Sequence, residues 1–461
     1  MNPNNQPTRR SFIRQGCCAA VGATGFLSTL AQLRVIGALA GDAPGFPRSA
    51  AIAADYKALV CVFLSGGNDT NNVLVPVDPS SHAVYSAARG ILAVDRTRLL
   101  PVSPASYNDG RSYALHPALP EVQRLFTQGR LAFVANVGTL VRPTTLAQYR
   151  AGAGLPPQLF AHSEQISQWQ SSVPDRPFTT GWGGRLADLV NAGNTNSRIS
   201  MSIALKDTNS FQVGNAVTQL VVGPGGVILK DGYPADSRYL AEKRLLTVPS
   251  PNLLQAAFGG ITQSAIQQSE VLATALQGAP AIRTPFPGSS AGAQLAMIAR
   301  LISVGTNLGL RRQIFLCRLD GWDLHAAQLN GHGPLLAELS AALGAFYDAT
   351  VELGAANQVT TFTASDFGRT YNSNGDGTDH GWGAHHMVIG GAVKGGDIYG
   401  QVPSLALGGP DDLGRGRWLP SISVDEYSAT LATWFGVSAT DLPVVLPNIG
   451  RFARPNLGFM G

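Results

Sequence analysis

The chain has 461 residues, of which 44% are hydrophobic and only 13% charged, with 53 Gly and 29 Pro. A charged share about half the usual one excludes a disordered chain, a coiled coil and a charge-laced helical array, and the length allows a large core. The formal net charge is +4, and residues 1–40 carry all of it, since Arg9, Arg10, Arg14 and Arg34 stand there without an acidic residue. Removing those four from the 33 basic residues leaves 29, equal to the 29 acidic ones, so the body lacks the basic surplus that nucleic-acid binding requires.

Along the chain, Thr8-Arg9-Arg10-Ser11-Phe12-Ile13-Arg14 resembles the twin-arginine export consensus. A weakly hydrophobic stretch follows at 17–33, and Ala38-Leu39-Ala40 reads as an A-x-A cleavage site. Gly, Ser, Thr and Gln break that stretch and Arg34 stops it short of 20 residues, which disfavours a membrane anchor. The expectation is a signal peptide at 1–40, a small-residue linker at 41–55, export through the twin-arginine translocase, and a periplasmic or secreted product with no permanent membrane span. Of the cysteines, Cys61 and Cys317 remain after cleavage, both in apolar runs, so buried free thiols are expected in place of a disulfide.

The run at 56–64 is continuously apolar and ends in Ser65-Gly66-Gly67, the pattern of a buried central strand. A helix at 117–127 precedes a second such strand at 131–138. A helix at 294–308 precedes a third at 313–319. A long helix at 334–353 leads to a fourth at 358–363, and a fifth apolar run lies at 386–390. Strands alternating with helices imply an α/β fold with a mainly parallel sheet. Residues 199–285, with β-like runs and then Gln- and Ala-rich sequence, read as an insertion or cap, with a separate domain as the alternative.

Chemistry follows the strands. The first delivers Gly66-Gly67-Asn68-Asp69, the third Asp320-Gly321-Trp322-Asp323-Leu324-His325, and the fourth Ser365-Asp366-Phe367-Gly368-Arg369, then Asp379-His380 and His385-His386. Ligands of open α/β sheets bind beyond the carboxyl ends of the strands, so Asp69, Asp323, His325, Asp366, Asp379, His380 and His385 are candidate metal ligands at one edge. Carboxylates with imidazoles suit one or two divalent ions, with Zn, Mn, Ca and Mg all open. Asp320 suits a turn, and His332 and His386 suit loop and strand positions. Trp322, Trp382 and Trp418 leave sugar stacking open beside core packing.

The ordered motifs Phe63-Leu64-Ser65-Gly66-Gly67-Asn68-Asp69, His162-Ser163-Glu164-Gln165, Gly321-Trp322-Asp323-Leu324-His325 and Ser365-Asp366-Phe367-Gly368-Arg369, followed by Gly377-Thr378-Asp379-His380-Gly381, resemble the DUF1501 family of exported bacterial proteins. That family sits in the alkaline phosphatase/sulfatase-like superfamily. The resemblance implies an alkaline-phosphatase-like three-layer α/β sandwich and a metal-dependent hydrolase of phosphate or sulfate esters, acting on a small-molecule or glycan-linked anionic ester. It further implies metal-binding Asp69, Asp323, His325 and Asp366 with His380 or His385, and a Ser or Thr nucleophile at a helix N-terminus. Ser163, with His162 beside it, is the first candidate and Thr70 the second; water is the alternative nucleophile. Arg369 either clamps an anionic oxygen or pairs with Asp376. Two departures stand out: Asp366 is followed by Phe367 where the superfamily has His, and the sulfatase Cys/Ser-x-Pro-x-Arg sequence is absent. They keep open a non-catalytic periplasmic binding or assembly protein.

Overall fold

A computed structural model describes residues 56–195 and 199–461. The leader, its cleavage site and the linker lie outside the described residues. In chain order the strands are β1 (Lys57–Leu64), β2 (Leu74–Pro76), β3 (Leu100–Val102), β4 (Tyr113–Leu115), β5 (Leu131–Gly138), β6 (Ser202–Ala204), β7 (Leu220–Val221), β8 (Arg312–Leu319), β9 (Val359–Ser365), β10 (Ala384–Ile389), β11 (Ile398–Gly400) and β12 (Ile422–Ser423). Nine of these form one sheet in the order β11-β5-β10-β9-β1-β8-β6-β7, with β12 also on β5. All its pairings are parallel except those of β10, which runs against both β5 and β9. Strands β2, β4 and β3 make a small antiparallel sheet.

The alternation within β1 explains its continuous hydrophobicity. Ala58, Val60, Val62 and Leu64 enter the core on one face, and Leu59, Cys61 and Phe63 the core on the other. The first face is covered by the helices Pro120–Thr127, Ser290–Gly305 and Gln328–Glu352, and the second by Trp182–Val190 and Val424–Phe435. Three layers result, a mixed α/β architecture around a mostly parallel central sheet. Cys61 and Cys317 are buried free thiols on opposite faces of adjacent strands, which separates them too well to pair.

The long helix begins at Gln328, six residues before Pro334, the start expected from the sequence. Pro334 lies inside it and costs one backbone bond there, while side-chain bonds from Gln328 anchor the opening turn. Within the expected insertion, β6 and β7 pair into the central sheet. Residues 232–265 fall in a different compact unit from 56–231 and 266–461. In that unit Asp236 caps the helix Ser237–Leu246, and the ring of Tyr239 meets that of Tyr233. Among the described residues no helix is long and apolar enough to cross a membrane.

Candidate metal centre

Loops leaving the carboxyl ends of β1, β8 and β9 meet at one edge of the sheet, where the oppositely directed β10 begins. Close approach there depends on glycine. Gly66 and Gly67 have φ of 121° and 89°, and a Cβ would lie 2.4 Å from the Asp323 backbone nitrogen at Gly66 and 2.5 Å from the Phe367 ring at Gly67. The Gly66 N–H then donates to Asp366 Oδ1 at 3.1 Å, tying the β1 loop to the end of β9.

Four side chains converge on this edge. Asp323 lies with Oδ2 3.3 Å from His162 Nε2, and its Oδ1 lies 3.1 Å from His325 Nε2 and 3.3 Å from His380 Nε2. The Nε2 atoms of His325 and His380 are 2.8 Å apart. Ligand atoms of His162, Asp323 and His380 all lie within 4.8 Å of one another. Phe367 walls the group, its ring centroid 4.8 Å from that of His162 and 4.5 Å from that of His380.

The other ring nitrogens each face an oxygen. His162 Nδ1 faces Asp366 Oδ2 at 2.7 Å, His380 Nδ1 faces the Phe160 carbonyl at 2.6 Å, and His325 Nδ1 faces Asp379 Oδ1 at 3.3 Å. A carbonyl or ionised carboxylate only accepts, so the tautomer with the proton on Nδ1 suits these contacts, and in that tautomer Nε2 turns a lone pair inward. Two such lone pairs at 2.8 Å beside a carboxylate repel unless a cation sits among them. Three imidazoles oriented by oxygen acceptors, plus one carboxylate, is the donor set of a borderline transition metal and not of Ca²⁺ or Mg²⁺. The residues present fit a divalent ion.

Electrostatics agree. Burial pushes the Asp323 carboxyl up, but the hydrogen bond and charge of Arg369, with His325 and His162, hold it below the usual range. Burial, with His162 and Arg369 nearby, lowers His380 and keeps it neutral. Asp366 is raised, chiefly by burial, against the pull of His162 and the Gly66 N–H.

Several expected roles change. Asp366 and Asp379 orient histidines and stand one step behind the cluster, whereas His162, expected beside the nucleophile, points into it. Asp69 is not in the cluster: it is buried in an ion pair with Arg89, and also accepts from Gln328 and from Asn71. Burial raises the Asp69 carboxyl, and Arg89, His332 and Gln328 more than reverse this. His385 is also outside, a buried residue of β10 whose Nδ1 accepts the Asn136 N–H at 3.0 Å and whose pKa burial lowers to about 4. His332 lies on the long helix, bonded to Asn68, and His386 lies in β10 against Trp169.

Arg369 cannot clamp a substrate, because it is fully buried and committed. Its Nη1 donates to Asp323 Oδ1 at 2.5 Å and to the Gly66 carbonyl, Nε to Thr378 Oγ1, and Nη2 to the Thr378 carbonyl. Its carboxylate partner is Asp323, not Asp376. The Ser163 hydroxyl donates to the carboxylate of its neighbour Glu164 at 2.5 Å, and buried Thr70 accepts the His385 N–H. Trp322, Trp382 and Trp418 are buried to within 2% and pack the core, so they offer no sugar-stacking face. Asp320 pairs with Lys206 and Arg318, a turn role.

Residues 246–413 match the model of DUF1501, a family described as a protein of unknown function. That span contains Asp323, His325 and His380 but not His162. No curated protein matches the sequence. Among solved structures, the chain is similar to a protein in the alkaline phosphatase superfamily from Vibrio parahaemolyticus, at 10% identity and a TM-score of 0.38, over 90% of this chain and 77% of that one. It is similar to the PsFucS1 sulfatase from Pseudoalteromonas sp., at 11% identity and 0.35, over 84% and 69%. It is similar too to the lipoteichoic acid synthase LtaP from Listeria monocytogenes, at 8% identity and 0.34, over 87% and 79%.

Proposed function

We propose that this protein is a metal-dependent hydrolase of phosphate or sulfate esters, exported by the twin-arginine route. One observation carries the reading: three histidine Nε2 atoms and the Asp323 carboxylate converge at a half-open sheet edge, each imidazole backed by an oxygen at its Nδ1. His162, Asp323, His325 and His380 would hold the ion. When bound, a divalent ion supplies a Lewis acid that polarises an ester oxygen and acidifies a water.

The chain's own residues do the rest. Asp366, Asp379 and the Phe160 carbonyl hold the imidazole protons away from the centre. Arg369 keeps Asp323 ionised and fixed. Phe367 excludes water from one side, while the exposed edges of Asp323 and His325, at 42% and 43%, leave the other side open to a substrate. Water, as the nucleophile, fits better than Ser163, whose hydroxyl is engaged by Glu164.

The test is a panel of phosphate and sulfate monoesters assayed on the full chain, with and without chelator. Turnover that chelator abolishes and that Zn²⁺ or Mn²⁺ restores is the expected result. Metal bound without turnover on any ester would assign the fold to binding instead.

A further inference from the structure

With Arg369 buried behind Asp323, a guanidinium that meets a substrate's negative charge beside the ion must come from elsewhere. Two more arginines lie beside the cluster's surroundings, both on the loop before β12. Arg417 is committed to holding the site: its Nε donates to the His380 carbonyl at 2.8 Å and its guanidinium lies 4.6 Å from the centre of the Phe160 ring. Arg415 is different. Its side chain is 51% exposed, and one guanidinium nitrogen, Nη1, pairs with Asp379 Oδ2 at 2.7 Å. The other oxygen of Asp379 holds His325 Nδ1. The guanidinium therefore sits one carboxylate and one imidazole away from the cluster.

The backbone is built to present it. Gly414, Arg415 and Gly416 have φ of 114°, 62° and 68°, three successive residues in the left-handed region, and an arginine there is strained. The surroundings hold it. Asp412 Oδ1 accepts from the N–H groups of both Gly414 and Gly416, the Tyr371 N–H donates to the Gly416 carbonyl, and the Asn372 N–H donates to the Arg415 carbonyl. A side chain at Gly416 would lie 2.2 Å from Tyr371 Cβ. Such strain, held by these hydrogen bonds at the rim of a polar centre, motivates a functional reading of the position.

We infer that Arg415 is the anion-binding residue of this site: its guanidinium leaves the exposed Asp379 pair and takes the anionic oxygens of the ester, while Asp379 stays on His325. An exposed ion pair is weak enough to be exchanged for a substrate oxyanion, and guanidinium matches phosphate or sulfate in a two-point geometry. The inference rests on the ester-hydrolase reading above, and it names the residue that would select charged over neutral esters.

The experiment uses the full chain loaded with Zn²⁺, its ion content fixed by elemental mass spectrometry, and titrates inorganic phosphate and then sulfate by calorimetry. The wild type binds, and R415Q binds at least tenfold more weakly with unchanged metal content and melting temperature, while R415K keeps part of the affinity. Equal affinity in R415Q and wild type overturns the assignment and leaves the proposed chemistry standing. Metal-loaded wild type that binds neither anion overturns the ester reading together with it. Loss of metal from R415Q would make Arg415 a positioning residue for His325 and also overturn the anion role.

Discussion

Asp69 and Asp366 follow buried strands in the same way, yet their neighbours give them opposite tasks. Asp366 points one oxygen at His162 and so reaches the centre indirectly. Asp366→Asn should keep the fold and weaken metal affinity about 10–100-fold, read by competition with a chromogenic chelator. Asp69 instead neutralises the buried Arg89, so Asp69→Asn should cost about 3–5 kcal/mol in urea unfolding yet leave metal content intact. If the variant loses its metal, the assignment of Asp69 to the scaffold is wrong. The sign of the pH dependence follows from a lowered folded-state pKa. The stabilisation from Asp69 is fully present above the ordinary carboxylate value near 4 and is lost as pH falls through the lower folded value.

At the scale of elements, the helix Val424–Phe435 shows how a well-made start coexists with a costly residue. Ser423 and Glu426 form a reciprocal capping box, and the helix buries Tyr427, Leu431 and Phe435 against the sheet. Asp425, in its first turn, is buried with Oδ1 unpartnered, and burial raises its pKa to about 7 despite Ser172 and Arg185 nearby. A raised folded-state pKa favours the protonated form. Its contribution is present below about pH 4 and is lost as pH climbs towards 7, a difference of about 4 kcal/mol. Asp425→Asn, neutral at every pH, should therefore gain stability over wild type at pH 8 and show little gain at pH 4 in parallel urea titrations. An equal effect at both pH values would place the ionised form in a better-solvated setting than its burial indicates.

For the whole molecule, the centre ties together segments that enter from opposite parts of the chain: His162 opens the helix His162–Ser171, Asp323 and His325 follow β8, and His380 precedes β10. A ligand that binds only the assembled edge stabilises the folded chain by about 2.7 kcal/mol at a hundredfold excess over its dissociation constant. Zn²⁺ should accordingly raise the melting temperature of the wild type, chelator should reverse the shift, and His380→Ala should abolish it. A melting temperature indifferent to metal in the wild type would remove the ion from this edge.

What the sequence determined by itself were the terms set by local pattern. The strands at 57–64, 131–138, 312–319 and 359–365 are short apolar runs closed by turn residues, and burial on both faces leaves them no other arrangement. Asp323, His325 and His380 were legible as a group because residues that follow parallel strands must gather at one edge. Pairing across the chain was not legible. Nothing near Asp69 announces that Arg89, twenty residues on, will claim its carboxylate, nor that Arg369 will be sealed behind Asp323. No motif marks the Phe160 carbonyl, whose residue has a φ of 71°, as the acceptor for His380, or Arg415 as the exposed cation. Residue type and strand order decide which groups arrive at an edge. Only tertiary structure decides which of them meet each other first, because a buried charge takes the nearest partner that the packing brings to it.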